Sequence, residues 1–181
     1  MIPVHIIVAL DEKLGIGIDG NLPWNLSGDL RHFRDVTCTT QSPKKQNVVL
    51  MGRKTWESIP KQFQPLVSRI NIVLTRNPGL FLPEGVLTSN GFDQVLEMSN
   101  SEQLKNIIET IFVIGGQQVY NEALKYSQCQ KLYITQVHAM FACDTFFPEF
   151  RQDFEKINSS AQHNEGALRY HFEEYERKQV S

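Results

Sequence analysis

The sequence predicts an α/β protein built on a largely parallel sheet. Four short segments are apolar on successive residues and rich in β-branched side chains, namely Val4–Leu10, Asn47–Met51, Ile70–Leu74 and Ile111–Ile114. Such runs are typical of strands that are buried on both faces, as in a parallel sheet covered by helices. Helical periodicity occurs between them, so the alternation of strands and helices indicates βαβ units.

Three segments carry the helical pattern. Asp29–Val36 places Leu30 and Phe33 on one face, and Gln117–Tyr126 repeats apolar residues along one stripe. Phe92–Thr110 has room for one or two helices, with an interruption near residues 99–101. We expect these helices to flank the sheet.

The C-terminal third has a different pattern. Lys131–His138, Phe154–Ile157 and Leu168–Arg177 are predicted to be strands without a helix of good length between them. In the last of these, Leu168, Tyr170 and Phe172 keep a period of two, but Tyr175 is out of phase with them. A bulge near residues 173–174 would explain the change. We therefore expect an antiparallel hairpin at one edge of the sheet. The segment Thr37–Lys45 is predicted to be a surface loop.

Size and charge indicate one domain that carries no global signal for a nucleic-acid or membrane partner. A chain of 181 residues matches a single domain, and no linker, repeat or low-complexity tract divides it, so we predict one domain over residues 1–181. The net charge is −2, from 18 Lys and Arg against 20 Asp and Glu. Nucleic acid and membrane surfaces are therefore not expected partners, and any bound anion must be held by a local basic cluster.

The cysteines and the apolar runs predict a reduced, cytoplasmic protein. Cys38, Cys129 and Cys143 form no C-x-x-C pair, and their odd number argues against a disulfide framework. The histidines show no metal-ligand spacing, so we expect no metal site. The apolar stretch Ile6–Leu10 is too short for a signal peptide and is predicted to be a strand. No run approaches the ~18 residues of a membrane helix.

The segment Gly15–Gly20 matches G-x-G-x-x-G after a strand, which is the pattern of a dinucleotide-binding turn. That function requires a helix to begin at the glycines, whereas Pro23 would interrupt it near its start. We reject this interpretation. A glycine-hinged loop that covers a ligand fits better, with Leu22 and Trp24 as its apolar contacts.

Three strand ends carry anion-binding groups. Gly52–Thr55 and Gly115–Gly116 each follow a buried strand and precede a predicted helix, and Thr75–Arg76 follows another strand. Taken singly, the first could be a solvated basic turn, the second a tight strand–helix turn and the third a surface arginine. Together, three such ends on one parallel sheet predict a dinucleotide bound along its carboxyl edge.

Asp29 is the candidate acid. A carboxylate between the loop at Trp24 and the apolar face of Leu30 and Phe33 would have a raised pKa and could hydrogen-bond a heterocycle bearing N–H donors. The structural alternative is an aspartate that favours the first turn of a helix. Arg69 could bind a substrate carboxylate bidentately, and its alternative is a surface ion pair.

The motifs, in order along the chain, resemble those of the dihydrofolate reductase family over essentially the whole sequence. They are residues 7–9, 15–17, 22–24, 29, 51–60, 69, 74–76, 114–116, 120, 135 and 144–148. The resemblance implies a central, mostly parallel eight-stranded sheet with an antiparallel C-terminal strand. It also implies hydride transfer from NADPH to C6 of 7,8-dihydrofolate, with protonation at N5, and a cis peptide between the paired glycines.

The resemblance assigns roles residue by residue. The catalytic residues would be Asp29, Leu22, Trp24 and Thr135. Substrate would be bound by Ile7, Val8, Ala9, Leu30, Phe33, Ser58, Ile59, Pro60, Leu66, Arg69, Ile114 and Tyr120. The cofactor would be bound by Ala9, Ile16, Gly20, Gly52, Arg53, Lys54, Thr55, Leu74, Thr75, Arg76, Ser89, Gly115, Gly116, Gln117, Val119 and Tyr120.

Leu30 and Phe63 depart from common family patterns, which bears on the fit of the pocket and of the substrate tail. The resemblance implies a monomer that binds dihydrofolate and antifolate inhibitors, and the chain could be the reductase half of a fused reductase–thymidylate synthase. Three alternatives stay open: a related pterin or pyrimidine reductase, a folate- or nucleotide-binding module without catalysis, and a scaffold protein. Turnover with NADPH separates the enzyme from the last two.

Overall fold

Strand β1 (Val4–Leu10) lies in the interior of the sheet, between two strands from the second half of the chain. A computed structural model describes residues 1–77 and 79–179. In it, β1 is parallel to both neighbours, β6 (Ile108–Gly115) and β7 (Cys129–Val137). Beyond β6 the parallel pairing continues through β3 (Gln46–Gly52), β4 (Ile70–Leu74) and β5 (Leu87–Ser89).

The other side of the sheet is antiparallel. Strand β11 (Leu168–Arg177) pairs with β7, and its outer edge pairs with β10 (His163–Glu165) and then with β9 (Phe154–Ser159). The order is therefore β10-β11-β7-β1-β6-β3-β4-β5, with β9 and β10 sharing one edge position. The predicted eight-stranded, mostly parallel α/β architecture is confirmed. The predicted bulge in β11 is wrong, because β11 pairs with β7 in one continuous register and the extra residue opposite Glu174 and Tyr175 lies on β9. The alternation changes phase because Tyr170 and Tyr175 belong to different core clusters, on opposite faces of the sheet.

Burial on both faces explains the continuous apolar runs. In β3, Val48 and Leu50 belong to the largest core cluster, whereas Val49 and Met51 belong to a second cluster that also contains Trp56. All four strand residues are fully buried, because alternate side chains face opposite sides of a sheet that is covered twice.

The described residues form four α-helices and one short 3₁₀ helix, Lys61–Phe63. The α-helices are α1 (Ser27–Cys38), α2 (Arg53–Ser58), α3 (Phe92–Ser99) and α4 (Gln117–Ala123). Within residues 1–77 and 79–179, no helix is both long and apolar enough to cross a membrane. The helical pattern predicted to reach Thr110 is wrong beyond α3, because residues 108–110 belong to β6, where they lie beside β3.

The predicted loop at Thr37–Lys45 is wrong at its start. Thr37 lies in the last turn of α1 and is fully buried, because its hydroxyl donates to the carbonyl of Phe33 (2.7 Å) and accepts from the Arg69 side chain (2.9 Å). Residues beyond the helix, from Thr39 to Lys45, have no regular structure.

The glycine segment forms strand rather than helix. Gly15–Gly17 is β2, which pairs with β8 (Thr145–Phe146) in a separate two-stranded sheet. The next helix begins only at Ser27, after Pro23. The structure therefore agrees with our rejection of the dinucleotide-binding turn.

Candidate active site

The strand register brings the predicted site residues to one edge of the sheet. Ala9 lies beside Thr135 on the neighbouring strand, and Met51, one residue before Gly52, lies beside Gly115. Farther along, Gly52 lies beside Leu74, and Leu74 lies beside Ser89. Because these strands are parallel, their carboxyl ends form one continuous row. The row places the predicted acid region at the β7–β1 end and the predicted anion-binding turns toward β5.

Asp29 is held at the first end of this row. It lies in the first turn of α1, and its Oδ1 accepts a 2.6 Å hydrogen bond from the Thr135 hydroxyl on β7. Burial raises the pKa of Asp29, the hydrogen bond from Thr135 lowers it, and the negative charge of Glu165 raises it again. Burial is the largest of these effects. The site therefore holds a carboxyl group whose pKa lies above its ordinary value.

Apolar residues of the predicted site lie on strand β1, on helices α1 and α4 and on the loop before α1. Ile7 and Val8 are buried on β1, and the buried Tyr120 of α4 donates its hydroxyl to the carbonyl of Ile7 at 3.1 Å. By contrast, Leu22 and Leu30 are 53% and 54% exposed. Exposed apolar groups near a half-buried carboxyl are what a flat heterocycle would cover. The other predicted wall residues are half-buried or exposed: Ala9, Phe33, Ser58, Ile59, Pro60, Leu66 and Ile114.

Arg69 is buried and held in one orientation. Its Nε donates to the carbonyl of Val67 (3.0 Å) and its Nη1 to the Thr37 hydroxyl (2.9 Å), while its guanidinium lies 5.8 Å from the ring centre of Phe33. Burial lowers the pKa of Arg69 from its ordinary high value. In the described part of the chain, Nη2 has no hydrogen-bond partner. The alternative to the predicted role, a surface ion pair, is thus absent among the described residues, and a guanidinium edge remains for an anion.

Gly115 and Gly116 form a close backbone approach beside Thr55. Gly115 has a φ of 143°, and a Cβ placed on it would lie 2.9 Å from the Thr55 hydroxyl oxygen, so a side chain would be strained there. The peptide between the two glycines is cis, as the resemblance implies. Exposed Arg53 and Lys54 precede Thr55 at the start of α2. The bare backbone, hydroxyl and two cations fit a pyrophosphate.

The far end of the row contains an exposed arginine and a buried serine. Arg76 is exposed, whereas Arg53 lies 3.7 Å from Glu57 across one helical turn. Ser89 is buried and its hydroxyl donates to the carbonyl of Gly91 (2.7 Å), so that group is used inside the protein. The remaining predicted cofactor residues lie along the row or on the adjoining loop and helix: Ile16, Gly20, Leu74, Thr75, Gln117 and Val119.

The loop that follows β1 is fixed at its base by Asp11. The buried Asp11 carboxylate accepts the backbone N–H groups of Lys13 and Gly15 (2.8 Å each) and of Phe141 (3.0 Å). At the other end of the loop Trp24 is buried against Phe141, with ring centres 5.4 Å apart. Its indole N–H is buried and has no protein partner in the described residues.

The sequence interpretation missed Asp11, Thr37 and Glu165. An aspartate after a strand commonly begins a turn, so Asp11 carried no signal of its buried contacts. Thr37 and Glu165 act on partners 32 and 138 residues away, which no local pattern reveals. In residues 1–77 and 79–179, no group of three or more His, Cys, Asp and Glu side chains is arranged to hold a metal ion.

Comparison with known proteins identifies the family. The dihydrofolate reductase family model matches residues 3–177. The chain is 35% identical to the dihydrofolate reductase of Heliothis virescens, covering 97% of this chain and 98% of that protein. It is 40% identical to bifunctional dihydrofolate reductase-thymidylate synthase 1 of Arabidopsis thaliana, covering 98% of this chain and 35% of that protein.

The fold agrees with this match. The solved structure of Schistosoma mansoni dihydrofolate reductase superposes with a TM-score of 0.87 at 32% identity, covering 98% of this chain and 99% of that chain. Against the bifunctional plant relatives, the chain spans only about a quarter to a third of their length. Each of these relatives has dihydrofolate reductase in its name. This chain belongs to the dihydrofolate reductase family.

Proposed function

We propose that this chain reduces 7,8-dihydrofolate to 5,6,7,8-tetrahydrofolate with NADPH, adding a hydride at C6 and a proton at N5, and so supplies one-carbon metabolism. One observation carries the proposal. The half-buried Asp29, hydrogen-bonded to Thr135, stands at one end of a strand-edge row whose other positions fit a dinucleotide.

Asp29 would select the pterin ring. A carboxylate accepts hydrogen bonds from an amino group and a neighbouring ring N–H together, and the low-dielectric surroundings that raise the pKa of Asp29 also strengthen those bonds. Thr135 keeps the carboxyl group in place from β7. The walls of the pterin and benzoyl site would be Ile7, Val8, Ala9, Leu30, Phe33, Ser58, Ile59, Pro60, Leu66, Ile114 and Tyr120.

Arg69 would bind the α-carboxylate of the substrate's glutamate. Val67 and Thr37 hold one edge of the guanidinium, so binding does not have to immobilise a mobile side chain. The role explains why an arginine is buried without a carboxylate partner in the described residues.

Water would deliver the proton to N5, and the loop that contains Leu22 and Trp24 would control the access of that water. Leu22 excludes bulk water when the loop covers the pterin, while the buried indole N–H of Trp24 is free to hold one water by a hydrogen bond. Proton transfer from a single held water keeps the reacting atoms away from solvent. Leu22 and Trp24 would thus control the delivery of the proton. Asp29 would set the orientation and the charge of the pterin ring.

The nicotinamide cofactor supplies the hydride when bound. Gly115, Gly116, Lys54 and Thr55 would hold its pyrophosphate, since the two glycines leave space that a Cβ would fill. Arg53 and Arg76 would hold the 2′-phosphate, which favours NADPH over NADH. Further contacts would come from Ala9, Ile16, Gly20, Gly52, Leu74, Thr75, Gln117, Val119 and Tyr120.

We also propose that the chain acts as a monomer in the cytoplasm and binds antifolate inhibitors at Asp29. The three cysteines are free thiols, and thiols persist in reducing compartments. An inhibitor with a basic heterocycle would carry its own positive charge to Asp29, and an ion pair in a half-buried site binds more tightly than neutral hydrogen bonds.

The test follows the loss of NADPH absorbance in the presence of dihydrofolate. We expect turnover by the native chain, and a fall of about 10²–10⁴-fold in Asp29→Asn with NADPH affinity retained. Asp35→Asn is the matched control, because Asp35 is an exposed aspartate of the same helix. If Asp29→Asn turns over normally, the carboxylate has no part in the reaction. If the native chain binds NADPH but does not turn over, the proposed function is wrong.

A further inference from the structure

The first turn of α1 is not capped by its own sequence. Leu26 occupies the N-cap position, where Ser, Thr, Asp or Asn usually accepts the free N–H groups of a helix. Leu26 is buried instead, in a cluster with Trp24, Val137 and Tyr170. The packing that fixes the entry of the helix therefore leaves its first backbone N–H groups without a local acceptor.

A carboxylate from the far end of the chain supplies the acceptor. Oε1 of Glu165 accepts the N–H of Ser27 at 2.7 Å, and Oε2 accepts the N–H of Gly28 at 3.1 Å. Glu165 is the last residue of β10, and Gly166, with a φ of 59°, begins the turn into β11. The hairpin thus places one carboxylate across two successive amides, immediately before Asp29.

The helix and the hairpin approach each other closely. A Cβ placed on Gly28 would lie 2.0 Å from the Tyr170 hydroxyl oxygen, so the contact requires glycine. The same Tyr170 hydroxyl lies 3.5 Å from Oε2 of Glu165. The first turn of α1 therefore packs against β11 as well as being capped from β10, and it has little freedom to shift.

We propose that Glu165 is a positioning residue for Asp29, the carboxylate proposed to bind the substrate. Glu165 acts through the two backbone amides that precede Asp29. The inference rests on the proposed function of Asp29. Thr135 holds the Asp29 side chain from β7, and Glu165 holds the backbone of the same turn from β10. The carboxyl group of Asp29 is thereby fixed at both its side chain and its main chain.

Glu165 also acts on Asp29 through its charge. Hydrogen bonds from Ser27 and Gly28 lower the pKa of Glu165, so it remains ionised at neutral pH. Its negative charge raises the pKa of Asp29. The other groups that face Asp29 are the Thr135 hydroxyl and the phenols of Tyr120 and Tyr170, and Arg31 is the cation near Tyr170. Among residues 1–77 and 79–179, Glu165 is the carboxylate whose charge acts on the pKa of Asp29.

Two variants separate the cap from the charge. Glu165→Gln removes the charge but keeps one carbonyl oxygen for capping, whereas Glu165→Ala removes both. Glu155→Gln is the matched control, since Glu155 is an exposed glutamate on β9. The readouts are the pKa of Asp29, from carboxyl-carbon NMR of the ligand-free protein, and hydrogen exchange at the amides of Ser27 and Gly28.

We expect the pKa of Asp29 to fall in both Glu165 variants and to stay unchanged in the control. We expect exchange at the two amides to accelerate about tenfold in Glu165→Ala, the factor typical of a lost cap, and less in Glu165→Gln. Unchanged exchange in Glu165→Ala overturns the positioning role. An unchanged Asp29 pKa in Glu165→Gln overturns the electrostatic role.

Turnover gives a separate comparison. We expect Glu165→Ala to raise the KM for dihydrofolate about threefold to tenfold and to leave NADPH affinity unchanged. We expect the KM of Glu165→Gln for dihydrofolate to lie close to that of the native chain. The pH profile of its turnover should still be displaced to lower pH. If native protein does not turn over, the proposed function fails, and the NMR and exchange results still decide the role of Glu165.

Discussion

The Thr135 hydroxyl donates a 2.6 Å hydrogen bond to Oδ1 of Asp29, joining residues 106 positions apart. Thr135 is itself buried beside Ala9, so the bond ties α1 to the two central strands β7 and β1. It opposes the effect of burial on the pKa of Asp29, and burial is the larger effect. The carboxyl group is thus held in place by a contact that also limits how far its pKa rises.

Thr135→Val is expected to raise the pKa of Asp29 further, because valine keeps the shape of threonine but removes the hydrogen bond that favours the charged form. Every pH transition governed by Asp29 should move to higher pH, and stability should fall by about 1–3 kcal/mol. The checks are the pH profile of turnover and chemical denaturation. Thr88→Val, at an exposed position on β5, is the control. An unmoved profile would contradict the prediction.

Asp29→Asn is expected to lose most of its turnover, as stated above, yet to be more stable than the native chain at neutral pH. The folded-state pKa of Asp29 is raised, so between its ordinary value near 3.8 and the folded value the unfolded chain is ionised while the folded chain is not. Rising pH therefore costs stability across that window, and asparagine removes the cost. We expect a higher Tm than that of the native chain at pH 7, measured by thermal unfolding. The gain should vanish as the pH falls toward 4.

Thr37→Val is expected to weaken substrate binding through Arg69. Losing the hydroxyl frees Nη1 of Arg69, so the guanidinium no longer presents one fixed edge. The KM for dihydrofolate should rise about threefold to tenfold with kcat little changed. Dihydropteroate, which lacks the glutamate, should show no such rise. Thr39→Val, two residues along, is the control, and a rise with both substrates would exclude a role through Arg69.

Gly115→Ala is expected to lower NADPH affinity about tenfold or more. Alanine at a φ of 143° is strained, and its Cβ would lie 2.9 Å from the Thr55 hydroxyl oxygen, so the backbone facing the proposed pyrophosphate must shift. Fluorescence titration with NADPH measures the effect. Gly91→Ala serves for comparison, because no atom lies within 4 Å of a Cβ at that position. Equal affinities in the two variants would remove Gly115 from the cofactor site.

Arg76→Gln is expected to reduce the preference for NADPH over NADH. Arg76 is exposed, whereas Arg53 already lies 3.7 Å from Glu57, so Arg76 has the less engaged guanidinium. The KM for NADPH should rise about tenfold and that for NADH should stay the same. Lys61→Gln is the control for the loss of one positive charge. A parallel rise for both cofactors would contradict a contact with the 2′-phosphate.

The strands were predictable because burial on both faces leaves a continuous apolar signal. Val4–Leu10 and Ile70–Leu74 agree with the structure at both ends. The break in alternation along β11 did not indicate a bulge, because Tyr170 and Tyr175 are buried on opposite faces of one regular strand. The end of α1 was not predictable, because Thr37 is buried by a partner in another element. For the same reason the sequence could indicate Asp29 and the strand-end row, whereas the cap from Glu165 depends on contacts that only the fold creates.

The sheet order has a consequence for synthesis on the ribosome. Both strands that flank β1 come late, since β6 begins at Ile108 and β7 at Cys129. A nascent chain that stops before Ile108 therefore holds an apolar strand with unpaired backbone groups on both edges. Such a strand is open to pairing with other chains, and long-range parallel pairing is slow to form. Ribosome-bound intermediates of this chain should therefore be strong clients for chaperones until β7 has emerged.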